Sequence, residues 1–160
     1  MKIGFEIVPV EQGDGGTLYS LRFDGEEKTE LDKFLANKEI QSCKEYESLV
    51  ARLYDMVDSL GFRDYFFKLK EGSINDSVAA FHFNNGTLRL YCLRWSSILL
   101  IVGSGGPKTT RTYQDDPLLQ DAVGKLQMVD KLFDARQKSR EIIIDPNTGI
   151  ITGNLVFTSD

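Results

Sequence analysis

The stretch GSGGPKTT, Gly103 to Thr110, places three glycines, a lysine and two threonine hydroxyls directly behind an apolar run. These are the residue types that wrap a phosphate, but a Walker-type loop needs a glycine directly before the lysine, so that backbone amides and the amine converge. Here Pro107 separates Gly106 from Lys108 and removes an amide donor. The spacing argues against a nucleoside-triphosphate site. It leaves Lys108, Thr109, Thr110, Arg111 and Thr112 as either a cationic patch or a polar loop ahead of a helix.

Other chemistry is sparse. His82 is the single histidine, so any Ser-His-Asp or Cys-His catalysis would run through it, and no nucleophile motif adjoins it. Asp115 and Asp116 read as a helix cap rather than as an acid and base pair. Cys43 and Cys92 show neither CxxC nor Cys/His ligand spacing, so no disulfide, metal site or cofactor is expected.

Charge is more informative. The chain of 160 residues carries a net −5, which argues against a protein that coats nucleic acid non-specifically. Between Gly61 and Tyr113, however, Arg63, Lys68, Lys70, Arg89, Arg94, Lys108 and Arg111 face only Asp64, Glu71 and Asp76, a local net of +4. This is a basic island in an acidic protein, or a solvated surface. The length suits one domain, and an apolar content of 41% with ten Phe and six Tyr argues against disorder. No run reaches membrane-span length and the N-terminal MKIGFEIVPVEQGDGG lacks the features of a signal peptide, so a cytoplasmic protein is expected.

The elements that must position these residues follow from periodicity. KIGFEIVPV (Lys2–Val10) and TLYSLRF (Thr17–Phe23), joined by EQGDGG, read as a β-hairpin. Thr29 caps a helix over TELDKFL, and Leu49, Leu53, Met56, Val57 and Leu60 trace a longer one over Glu45–Leu60, closed by Gly61. A meander is expected next: Asp64–Leu69, Val78–Phe83, a turn at NNG, Thr87–Trp95, SS and Ile98–Val102. Alternation in Thr87–Trp95 separates a core face from one carrying Arg89, Tyr91, Leu93 and Trp95. Asp116 and Pro117 open a third helix with a stripe of Leu119, Val123, Leu126, Val129 and Phe133, and EIIIDPNTGIITGNLVF reads as a closing hairpin.

That order of elements, with Lys68, Leu69, Lys70 and Gly72 as a K-L-K-x-G segment, LRLYCL as a strand and ILLIVGSGGPKTTRT as the last strand, resembles the RelE/ParE superfamily of bacterial toxins. The HigB-like and phage-derived branch is the nearest in pattern. The resemblance covers roughly Tyr19 to Val123, so it implies a RelE-like core over about 19–123 and a C-terminal extension over about 124–160 within one domain. The implied fold is α+β, an antiparallel meander on a two-helix hairpin with an added helix and β-hairpin.

The implied activity is that of a type II toxin: metal-independent, ribosome-associated cleavage of messenger RNA, blocked by a cognate antitoxin. A related branch instead poisons gyrase. The resemblance points to Arg89, Lys108 and Arg111 as catalytic, to Lys68, Lys70, Tyr91 and Tyr113 as RNA-binding, and to His82 as an outside candidate for general acid. The chain departs from the family in being acidic and in having neither Tyr nor His beyond Tyr113. Its extension suggests a dimer edge through the hairpin, or a cover over the site. The alternative is a catalytically inactive RelE-like module that binds a protein partner.

Overall fold

The computed structural model describes residues 3–69, 71–72, 76–83, 86–108 and 116–158. Two strands, β1 (Gly4–Gly13) and β2 (Gly16–Phe23), form the opening hairpin in antiparallel register from Phe5 opposite Phe23 to Gly13 opposite Gly16. Helices α1 (Glu30–Ala36), α2 (Lys38–Gln41) and α3 (Tyr46–Asp55) follow. Thr29 caps α1 by accepting from the Asp32 amide at 3.1 Å, as its residue type predicts. The longer helix anticipated to Leu60 changes pitch on the way: α3 ends at Asp55 and a π-helical turn carries Met56–Leu60 to Gly61, whose φ of 79° ends it.

The meander is present. A 3-10 turn at Asp64–Phe66 shortens its first strand to β3 (Phe67–Lys68), and β4 (Val78–Phe81), β5 (Leu88–Ser96) and β6 (Leu99–Pro107) follow, each antiparallel to the one before. The NNG turn includes residues outside those described. After it come α4 (Pro117–Lys138), the hairpin β7 (Ile142–Ile144) and β8 (Ile151–Gly153), and β9 (Val156–Thr158), which the sequence reading had placed within the closing hairpin. The expected boundary at residue 123 falls inside α4.

The main sheet has the order β3-β4-β5-β6-β2-β1-β9, and only the β2–β6 contact is parallel among the described strands. The architecture is therefore α+β around a mostly antiparallel sheet. Both faces are covered, which explains why VAAF and LLIV are buried without alternation. Leu31, Phe34, Leu49, Leu53 and Met56 close over one face through Leu18, Phe81, Leu90 and Leu100. Leu119, Val123, Leu126, Val129 and Phe133 of α4 close over the other through Ile7, Val78, Tyr91 and Ile101. The face expected to display Arg and aromatics is thus largely a second core.

Polar groups pin these layers. Ser20, fully buried, donates to the Val102 carbonyl at 2.9 Å and accepts from the Leu31 amide at 3.0 Å, joining two strands and a helix. The Ile151 amide donates to the Tyr19 hydroxyl at 2.8 Å and fastens β8 beneath the sheet. At the outer edge, Leu155 gives its carbonyl to Ile7 of β1, while the carbonyls of Asn154 and Val156 accept from Arg136 at 2.8 and 2.7 Å. The same guanidinium lies 3.8 Å from the centre of the Phe157 ring.

Trp95, the single tryptophan, meets the fully buried Phe133 edge-on at 4.7 Å. Phe133→Ala should cost about 3–5 kcal/mol in chemical denaturation and shift Trp95 emission to the red in the folded protein. Unchanged emission with full stability would mean that α4 is not seated there.

Candidate functional site

The glycines of the phosphate-loop look-alike are strand residues. β6 continues through the GSGGP segment to Pro107, and a Cβ on Gly105 would stand 1.9 Å from the Arg89 carbonyl while one on Gly103 would meet Leu126 at 3.0 Å. They permit close approach of β5 and α4, and do not form a loop that wraps a ligand. Around Tyr91 the register shifts, because Leu90 pairs with Gly105 and Cys92 with Val102, setting Gly103 and Ser104 against one residue in a β-bulge.

Register places Lys68 and Arg89 on a common face. Lys68 pairs with Ala80, Ala80 with Tyr91, and Arg89 with Gly106. His82 follows Ala80 by two, and Lys108 follows Gly106 by two with its amide held by the Thr87 carbonyl at 2.7 Å. Alternation therefore directs Lys68 and Arg89 to the α4 side, and both bear on His82 just past β4, at the end where β4 and β6 finish and β5 starts; Lys108 lies one residue past β6. Lys68 is exposed and pairs with Glu71 at 3.5 Å; Arg89 and Lys108 are half-buried. The Arg89 guanidinium donates from one nitrogen to the carbonyls of Gly86 at 2.7 Å and Leu88 at 3.2 Å, which anchors the group while its fork keeps other donors.

His82 sits among these charges. Burial pushes its pKa below the usual 6.5, its contact with the Phe83 carbonyl works the other way, and Arg89 and Lys68 lower it further against the opposing pull of Glu71. The ring is neutral at neutral pH. Its Nδ1 lies 3.1 Å from the Phe83 carbonyl oxygen, which can only accept, so Nδ1 carries the proton and Nε2 the lone pair. A neutral imidazole whose Nε2 has no partner among the described residues is a base, not the general acid anticipated.

Tyr91 requires correction as an RNA-stacking residue. It is fully buried beneath α4, and a base could reach its ring only if α4 left the sheet. Lys70, Arg111 and Tyr113 lie outside the described residues. The structure therefore brings Lys68 and Arg89 to His82, holds the Lys108 backbone beside Thr87, and removes Tyr91.

A second feature adjoins this end of the sheet on the opposite, α3 side. A groove of about 660 Å³ is lined by Lys44, Glu45, Ser48, Arg52, Asp55 and Phe83. Sequence reading passed over it, because its walls come from α3 and from the residues after β4. The signal available was alternation: in FHF, His82 and Phe83 must point to opposite faces. The groove is fixed by Glu45, whose carboxylate accepts from the Leu88 amide at 2.8 Å, and by Arg52, whose guanidinium lies 5.0 and 5.4 Å from the Phe66 and Phe83 ring centres.

Comparison with family models, with curated proteins and with solved structures finds no significant match to this chain. No helix among the described residues is long and apolar enough to cross a membrane.

One carboxylate at the seat of α4 has its own pH signature. Asp130 is buried against Ser77, and burial, reinforced by Asp76 and Asp134, raises its pKa from the ordinary 3.8 to about 6. A raised acid pKa means that the folded state holds the proton more tightly, so stability falls as pH rises from about 4 through about 6. Asp130→Asn should remove that fall and gain on the order of 1–3 kcal/mol at pH 7.5 in urea unfolding. Equal stability of the two proteins at pH 7.5 would place the group in water.

Proposed function

We propose that the protein is an endoribonuclease of the type II toxin class, with a RelE-like arrangement of a strand, a helical face and a returning meander. The observation that carries the reading is the placement of Lys68 and Arg89 around a neutral His82 at one end of one sheet face, with Lys108 just past the end of β6. The succession β2, α1 and α3, then β3 to β6 supports the same reading, since it is the order expected of such toxins.

The chemistry available is internal transesterification. His82 Nε2 accepts the proton of a ribose 2′-hydroxyl, and the 2′-oxygen forms a bond to the adjacent phosphorus. The P–O5′ bond breaks, water protonates the departing 5′-oxygen, and the products are a 2′,3′-cyclic phosphate and a 5′-hydroxyl. Arg89 and Lys108 face the phosphoryl oxygens, where negative charge grows in the transition state. Lys68 extends the cationic surface along the strand that carries the substrate. The scheme uses side chains and water alone, so cleavage should persist in a chelator.

His82→Ala should lower the cleavage rate about 10²–10⁴-fold, and Arg89→Ala or Lys108→Ala about 10²-fold or more, on messenger RNA in cell-free translation read by primer extension. Because the base must be neutral, the rate should hold from pH 8 down to pH 7 and decline only below the usual histidine range. Expression without an antitoxin should arrest growth. Intact messenger RNA together with normal growth would reject the ribonuclease in favour of a binding module on the same scaffold.

A further inference from the structure

We propose that the groove between α3 and the end of β4 is a nucleobase subsite that prefers guanine. The inference deepens the ribonuclease reading and rests on it for the origin of the base. Its own observations are the groove, its planar walls and its free carboxylate. At about 660 Å³ the groove falls within the roughly 300–1,000 Å³ of sites that take small ligands. Phe83 and Arg52 supply flat surfaces, and guanidinium planes and aromatic rings are what unstacked RNA bases lie against. The cation–π contacts with Phe66 and Phe83 hold Arg52 in place before any ligand arrives.

The chemistry of the rim selects the base. Glu45 is occupied by the start of β5, through the Leu88 amide and the Thr87 hydroxyl. Asp55 is exposed and lines the groove. An ionised carboxylate only accepts, and guanine offers it two parallel donors, N1–H and N2–H, whereas uracil offers one N–H flanked by carbonyls that a carboxylate repels. Phosphate is unsuited to the same rim, where Glu45 and Asp55 offset Lys44 and Arg52. It belongs with the cations on the other face.

The two faces meet at the end of β4. His82 and Phe83 are consecutive and point to opposite sides, and Gly86, which lines the groove, accepts from Arg89. A single strand crossing this end could place its phosphate at His82, Arg89 and Lys108 while an adjacent base enters beside Phe83.

The test is an NMR titration of the intact protein with guanosine 5′-monophosphate and, separately, uridine 5′-monophosphate. Saturable shifts are expected at the Arg52 side chain and the Phe83 amide, with the guanine nucleotide binding at least about fivefold more tightly. Asp55→Asn, an exposed substitution that leaves the spectrum of a folded protein, should bring the two nucleotides to equal affinity. No saturable shift in the groove, equal affinities in the parent protein, or shifts confined to Arg89 and Lys108 would each overturn the subsite. Guanine preference without messenger cleavage would retain the subsite and remove the ribonuclease. Cleavage by a protein with a base-blind groove would do the reverse.

Discussion

The parallel contact of β2 with β6, from Thr17 opposite Leu99 to Ser20 opposite Val102, is the constraint on which the rest of the molecule depends. A parallel pair cannot be closed by a tight turn, so everything between the two strands must travel out and return. The route out supplies α1 to α3 and the route back supplies the meander. Because β6 then lies in mid-sheet with apolar side chains on both sides, a single layer of helices is insufficient. α4 is the element that makes the second face compatible with water. Ser20 serves as the joint of this arrangement, spending its hydroxyl on Val102 and Leu31 where strand, strand and helix meet.

Most of the fold was legible in the sequence, and the misreadings share a cause. The opening hairpin, the caps at Thr29 and Asp116, and the stripe of α4 are local signals, and they are present as read. The exposed aromatic face was not legible as a core, because whether a face of alternating residues meets solvent or a helix depends on a segment many residues away. Tyr91 looks the same in either case. The glycines of GSGGP are ambiguous for a related reason: a glycine needed for a close strand contact and one needed for a phosphate are identical in one dimension. Pro107 was the better guide.

Of the site, the cation set was readable as a charge island, while its convergence was not. Lys68 and Arg89 come from two strands that do not touch, and only the register of β3 on β4 and β4 on β5 brings them to one face, while Lys108 follows the end of β6. The sequence offered His82 as an outside candidate for general acid, not as a base. That distinction is environmental, set by burial and by two neighbouring cations, and no motif encodes it. The groove beside it needs α3 and Phe83 together, which is a tertiary fact.

The two margins of the sheet are unequal. At β9, Arg136 occupies the outward carbonyls of Asn154 and Val156 and lies across Phe157, so a new strand would have to displace a charge already bonded twice. This disfavours strand addition at the β9 margin of the main sheet and acts as a gatekeeper against end-to-end polymerisation there; the hairpin of β7 and β8, where a dimer contact was anticipated, is a separate two-stranded sheet. A sheet sealed on one margin cannot propagate in both directions. Any assembly built by strand addition at β3 therefore ends after one step and gives a closed pair in place of a fibre.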